Sequence, residues 1–175
     1  IGRFTASEVY RLMAEPRSKS EKWSDGALTY IHEKVAEEIT GMEKFTPDNY
    51  AMAWGKEHEP IARDLYGKLV GAARIETPGF IAYEVDGVVM GGASPDGMVV
   101  FTDGVTEYSP FGLEIKCPSN PANHIGHLEI KSDEYFKKHY KEYYWQCQKG
   151  MLAAKKDEWT FVSYHPRVKG LELFR

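Results

Sequence analysis

The apolar pattern of this chain changes period three times, and that change limits its fold more than any other feature. Before about residue 70, apolar residues recur at helical spacing: Val9, Leu12 and Met13, then Leu28, Ile31, Val35 and Ile39, then Met52, Trp54, Ile61, Ala62 and Leu65. From Phe80 the pattern breaks into short blocks, Phe80–Tyr83, Val88–Met90, Met98–Phe101 and Leu113–Lys116, which read as strands. A helical pattern returns from Asp133 to Ala154, and Trp159–Tyr164 and Leu171–Phe174 read as strands again. Helices, antiparallel strands, a long helix and a strand imply an α/β domain: a central mixed β-sheet flanked by helices.

Local signals place the boundaries. Thr5-Ala6-Ser7-Glu8 opens a short helix, because a hydroxyl precedes an acid in the first turn. Pro16 to Asp25 is a polar loop. A helix over Ala27–Ile39 stops at Gly41, and one over Asn49–Leu69 stops at Gly71, with a kink or break expected at Pro60. Asp86-Gly87 turns one hairpin, and Thr102–Phe111 forms an excursion bent at Asp103-Gly104.

With 175 residues, residues 1–175 are expected to form a single domain, and 42% apolar content suffices for a core. The chain has no apolar run long enough for a membrane span and no visible signal peptide. It does not start with Met, so it is expected to lie within a longer protein and to lack native terminal residues. Two cysteines make no disulfide framework, which favours a reducing, cytoplasmic setting. A net charge of −4 argues against a nucleic-acid coat protein, which would be basic.

The chemistry is concentrated in Ser94-Pro95-Asp96-Gly97 and Gly112-Leu113-Glu114-Ile115-Lys116. Residues i and i+2 of a strand share a face, so Glu114 and Lys116 project together while Ile115 enters the core. Asp96 on a neighbouring strand can converge with Glu114 on a hard cation, with the Ile115 carbonyl as a further oxygen. Lys116 then sits where it can hold an attacking water or offset transition-state charge. This set suits metal-dependent phosphodiester hydrolysis. Alone, a Glu-x-Lys is usually a solvated strand face and Pro-Asp-Gly a turn. A second copy, Leu128-Glu129-Ile130-Lys131, has no preceding strand-rich stretch and reads as an approach to the long helix.

Two other groupings need weighing. Cys117, His124, His127 and Cys147 are zinc-ligand types, but their spacing is unlike common zinc motifs. The aromatics Tyr135, Phe136, Tyr140, Tyr143, Tyr144 and Trp145 could stack on bases, yet packing is the commoner use on a helix. Lys137, Lys138 and Lys141 read as a solvated face.

At these residues the chain resembles the PD-(D/E)xK nuclease superfamily, and more narrowly the phage lambda exonuclease, or YqaJ-type viral recombinase, family. The matching segments follow the family's order. They are Thr5-Ala6-Ser7-Glu8-Val9, Pro16-Arg17-Ser18, Ala53-Trp54-Gly55-Lys56, Glu59, the Asp96 and Glu114 motifs through Cys117-Pro118, Gln146-x-Gln148 and Tyr164-x-Pro166-Arg167. The resemblance implies a Mg²⁺-dependent exodeoxyribonuclease that digests linear double-stranded DNA 5′→3′ and leaves a 3′ single strand. One or two Mg²⁺ ions are implied, with Mn²⁺ able to substitute. It implies metal ligation by Asp96, Glu114 and the Ile115 carbonyl, with Lys116 as the catalytic lysine and Glu59 and Gln146 reaching the same site. Ser7, Ser94 and Arg17 are implied to meet the DNA and its 5′-phosphate.

The resemblance further implies a ring-shaped homotrimer, a phage single-strand annealing protein as partner, no membrane association, and work in the cytoplasm of a bacterial host. The family's phosphate-gripping arginine would lie upstream of residue 1, and Arg3 is not at its position. Thr102–Phe111 looks inserted relative to the shortest family versions. A structure-selective or restriction-type endonuclease, and a non-catalytic DNA-binding recombination scaffold, remain alternatives on the same core.

Overall fold

A computed structural model describes residues 1–175 except Thr46 and Asp48. The chain opens with strand β1 (Phe4–Thr5) and a 3-10 helix over Ala6–Arg11. Two helices follow, α1 (Asp25–Thr40) and α2 (Tyr50–Val70). Both are capped as their sequences dictate. Ser24 Oγ accepts from Ala27 N–H and Asn49 Oδ1 from Met52 N–H, while Gly41 and Gly71 take left-handed φ of +68° and +67° at the ends. Pro60 does not divide α2. It stands on the exposed side, while His58, Ala62 and Tyr66 hold the buried side against the sheet.

The middle of the chain supplies β2 (Arg74–Glu76), β3 (Ile81–Val85), β4 (Val88–Ala93), β5 (Gly97–Thr102), β6 (Glu107–Tyr108) and β7 (Phe111–Lys116). Then come α3 (Pro121–His127), α4 (Asp133–His139), α5 (Lys141–Ala154), β8 (Glu158–Tyr164) and β9 (Leu173–Phe174). The larger sheet runs β2-β5-β7-β8-β9, with β6 added on β5. It is mixed, because β7 and β8 are parallel while the other pairs are antiparallel. A smaller sheet, β1-β4-β3, lies under the 3-10 helix and α5. The main core joins Ala62 and Tyr66 of α2 to Val99, Leu113, Ile115 and Val162 of the sheet.

Three expectations need correction. The apolar face expected on α1 is turned outward: Leu28, Val35 and Ile39 are exposed, and Ala27, Tyr30 and Glu37 are buried. Polar contacts decide that orientation. Glu37 accepts from Gly2 N–H (3.1 Å) and Lys34 Nζ (2.9 Å), and Arg11 lies over the Tyr30 ring at 4.6 Å. Ile61 and Leu65 of α2 are likewise exposed. The single helix expected over Asp133–Ala154 is two, broken at Tyr140, where φ is −131° and ψ 50°. No Gly or Pro marks that break. Phe136 of α4 and Tyr143 and Cys147 of α5 close on Phe161 of β8 across it. The short elements β1, β2, β6 and α3 were not expected from the sequence pattern, since two- and three-residue strands carry almost no periodicity.

Candidate active site

The site forms where β5 and β7 pair and α2 crosses them. The Asp96 N–H donates to Leu113 O (3.2 Å), and Asp96 Oδ2 accepts from Ile115 N–H (2.6 Å). The carboxylate of the Pro-Asp-Gly turn is thereby fixed against β7. Alternation along β7 sends Leu113 and Ile115 into the core. Glu114 and Lys116 emerge on the other face, with Lys116 Nζ 2.5 Å from Glu114 Oε1. Glu59 comes from α2 and pairs with Arg63, whose Nε donates to Asp96 O (2.6 Å). Arg63 therefore ties the helix to the turn. The motif reading did not single it out, although its i, i+4 spacing from Glu59 is the signal that could have done so.

These groups line a cleft of about 370 Å³ with Gly55 and Lys56 of α2 and Tyr143 and Gln146 of α5. A neighbouring cavity of about 280 Å³ is lined by Thr5, Ser7, Phe80, Gly92 and Ser94, and again by Gln146. Gln146 joins the two. Arg17 lies outside both linings, in the exposed loop before α1. The helix start at Thr5 is a 3-10 turn with no side-chain cap; the Thr5 hydroxyl instead meets that of Ser7 at 3.3 Å.

The electrostatics are those of crowded carboxylates. Burial, then the nearby Asp96 and Glu59 charges, push Glu114 up to about 7 against the pull of Lys116. Burial also raises Asp96, and burial with the Asp96 charge raises Glu59. Burial alone would lower Lys116, but Glu114 and Asp96 outweigh it and keep the amine charged. Three carboxyl groups thus meet the charges of Arg63 and Lys116, with Lys56 in the lining of the same cleft.

Among the described residues, no three His, Cys, Asp or Glu side chains form a complete metal-binding group. Two carboxylates and a backbone carbonyl still suit Mg²⁺, which keeps several waters and takes phosphate oxygens as ligands. A divalent cation would relieve the repulsion that raises Glu114. The donor chemistry therefore fits.

The alternative zinc grouping does not assemble. His124 and His127 each place Nδ1 on Ser163 Oγ, at 2.8 and 2.7 Å, and His124 Nε2 meets Leu171 O at 2.7 Å. Burial pushes the Cys117 thiol up to about 12 and raises Cys147 well above its usual range, so neither is a ready thiolate. The helical aromatics mostly pack: Tyr140, Tyr143 and Tyr144 lie against Phe136 and Phe161. Lys137, Lys138 and Lys141 are exposed.

A mixed sheet presenting Asp, Glu-x-Lys and a helical Glu to one cleft is the arrangement that the resemblance to the nuclease superfamily implies. The YqaJ-like viral recombinase domain matches residues 2–157, and the chain belongs to that family. No curated protein is significantly similar in sequence. Among solved structures, the alkaline exonuclease LHK-Exo from Laribacter hongkongensis is 29% identical. It superposes with a TM-score of 0.71 over 99% of this chain and 75% of that one. Its complex with dAMP gives a TM-score of 0.73. A phage-related exonuclease from Haemophilus somnus, 22% identical over 93% of this chain and 68% of its own, shares the fold with a TM-score of 0.64. Family and neighbours support a phage-type exonuclease. Among the described residues, no helix is long and apolar enough to cross a membrane.

Proposed function

We infer that the chain is a Mg²⁺-dependent exodeoxyribonuclease. It digests linear double-stranded DNA 5′→3′ and leaves 3′ single-stranded overhangs for phage-type recombination. The observation that carries this reading is the pairing of two cavities through Gln146, one holding Asp96, Glu114 and Lys116, the other Ser7 and Ser94. A terminal phosphate in the second sets the adjoining phosphodiester in the first. An intact circle has no end to place there.

Asp96, Glu114 and the Ile115 carbonyl would hold the metal, and Glu59 would help hold a second ion or its water. When bound, Mg²⁺ or Mn²⁺ lowers the pKa of water and offsets charge on the phosphoryl oxygens. Lys116 stays protonated beside Glu114, where it holds the attacking water and counters developing charge. Arg63 keeps Glu59 and the Asp96 turn in register. Gln146 offers its amide to the phosphate between the two cavities. Ser7 and Ser94 donate hydroxyl hydrogen bonds to the 5′-phosphate, and Arg17 meets the DNA from its loop. The dAMP complex of LHK-Exo supports nucleotide binding by this fold.

The homotrimer follows from the family resemblance, and the outward apolar residues of α1 and α2, Leu28, Val35, Ile39, Ile61, Leu65 and Leu69, are compatible with a face that a second copy covers. A ring of three would hold DNA without a strongly basic surface. A phage single-strand annealing protein and the bacterial cytoplasm complete the reading.

The test is digestion of linear duplex in Mg²⁺, with and without a 5′-phosphate, with strand polarity read from end labels. Loss of label from the 5′ strand, faster with phosphate, is expected. Cutting of covalently closed circles would replace this reading with an endonuclease.

A further inference from the structure

The cavity of Ser7 and Ser94 has one wall that no phosphate needs. Its polar lining is Thr5, Ser7, Ser94 and Gln146, which can all hydrogen-bond an anion or a sugar. The other wall is Phe80, an aromatic side chain left 51% exposed. Among the described residues no aromatic ring or cation packs on it, in contrast to the heavily paired rings around Phe161.

Phe80 is nonetheless held in place. Gly79 turns the chain at φ +74° immediately before it, and β3 begins immediately after. Its ring edge lies on bare backbone: a Cβ built at Gly92 would fall 2.5 Å from Phe80 Cζ and 2.9 Å from Cε1. The same Cβ would fall closer still to Ile81 O, so the β3 backbone itself requires glycine at position 92, and the bare strand gives the ring edge its room. The result is a fixed, exposed π surface beside hydroxyls and an amide, in a space of about 280 Å³. That combination matches a ligand with one anionic end and one flat aromatic end.

We propose that Phe80 is a stacking platform for the base of the nucleotide whose 5′-phosphate enters the cavity of Ser7 and Ser94, and so a positioning residue for the DNA end. This rests on the exonuclease reading above. Every base has a π face, so the platform tolerates all four, with purines held more tightly because they overlap the ring more. It acts on how the end is seated, through ground-state binding, while the phosphodiester chemistry stays with the residues of the neighbouring cleft.

Equilibrium binding of deoxyadenosine 5′-monophosphate and of 2-deoxyribose 5-phosphate, to wild type and to Phe80→Ala, tests this. Base–aromatic stacking corresponds to roughly tenfold in affinity or more. Phe80→Ala is expected to weaken the nucleotide about tenfold and leave the sugar phosphate unchanged, and Phe80→Trp to restore nucleotide binding. Phe80→Leu, which keeps bulk without a π face, serves if the alanine variant fails to fold, and is expected to behave like it.

On duplex ends Phe80→Ala and Phe80→Leu should raise KM while Phe80→Trp should not, and an abasic 5′-terminal residue should remove the difference from wild type. Equal loss for both small ligands, no loss for either, or a wild type that binds neither would overturn the proposal. Polarity of digestion is read separately. Nucleotide binding that follows this pattern in a protein that spares 5′ ends keeps the platform and removes the exonuclease reading.

Discussion

Leu113-Glu114-Ile115-Lys116 and Leu128-Glu129-Ile130-Lys131 are the same four residues in two environments. The first is β7, paired with β5 on one side and β8 on the other. Its Leu and Ile are in the core and its Glu is 3% exposed beside Asp96. The second joins α3 to α4. Its Glu and Lys are exposed, Glu129 Oε2 accepts from the Tyr135 hydroxyl at 3.1 Å, and its backbone leans on α3 through Ile130 N–H to His127 O (3.1 Å). Identical side chains have different chemistry because burial and neighbouring charge, not residue type, set the cost of ionising a carboxyl group. Glu114 of the first copy lies within the influence of the Asp96 and Glu59 carboxylates.

Matched substitutions in the two copies can break this comparison. The largest effect is expected from Lys116→Ala, which should lower the cleavage rate by on the order of 10³-fold while DNA binding persists, as seen by electrophoretic shift. Normal digestion by that variant would end the mechanism. Glu114→Gln should reduce cleavage to a similar degree. It should also abolish the rise in melting temperature that Mg²⁺ gives the wild type, since the ligand is gone while a buried charge has been removed.

Acid should act on the support of the second copy. Burial and the nearby His124 lower His127 to about 4, so between about pH 6.5 and 4 the unfolded chain binds a proton that the folded chain excludes. His127 therefore contributes a loss of stability as pH drops through that window, by at most roughly 3 kcal/mol; Glu114, raised to about 7, contributes a gain of opposite sign over nearly the same range. His127→Gln should remove that loss, so that in urea titrations at each pH the variant gains on wild type as pH falls from about 6.5 to 4. A variant whose pH dependence runs parallel to that of wild type would show that His127 is not held neutral.

A smaller loss, on the order of 1–2 kcal/mol in the same denaturation assay, is expected for Arg63→Met, which cuts the link from α2 to Asp96. Cleavage should fall with it, because Glu59 loses its partner. Smallest of all, Lys131→Ala and Glu129→Gln should change cleavage by less than about twofold, as expected of exposed groups. A large loss there would mean that the second copy touches DNA.

Much of the site was legible in the chain. Alternation places Glu114 and Lys116 on one face without reference to the rest of the fold, and Asp96 precedes a strand close enough in sequence to pair with β7. The helix ends at Gly41 and Gly71 follow from left-handed φ, a local property. Arg63 was legible only as a helical neighbour of Glu59; its second bond, to Asp96 O, spans thirty-three positions and needs the fold.

The sequence by itself determined the order of the longer elements and the carboxylate–lysine motif, which rest on local spacing that the backbone's period enforces, and its ordered motifs carried the resemblance to the family. The tertiary structure decided which face of α1 is inside, where the helix breaks at Tyr140, that His124 and His127 share Ser163 instead of a metal, and that Arg63 ties α2 to the Asp96 turn. Those outcomes depend on partners far away in the chain. An amphipathic pattern states what a helix has to offer, whereas the free energy of burial depends on what meets it.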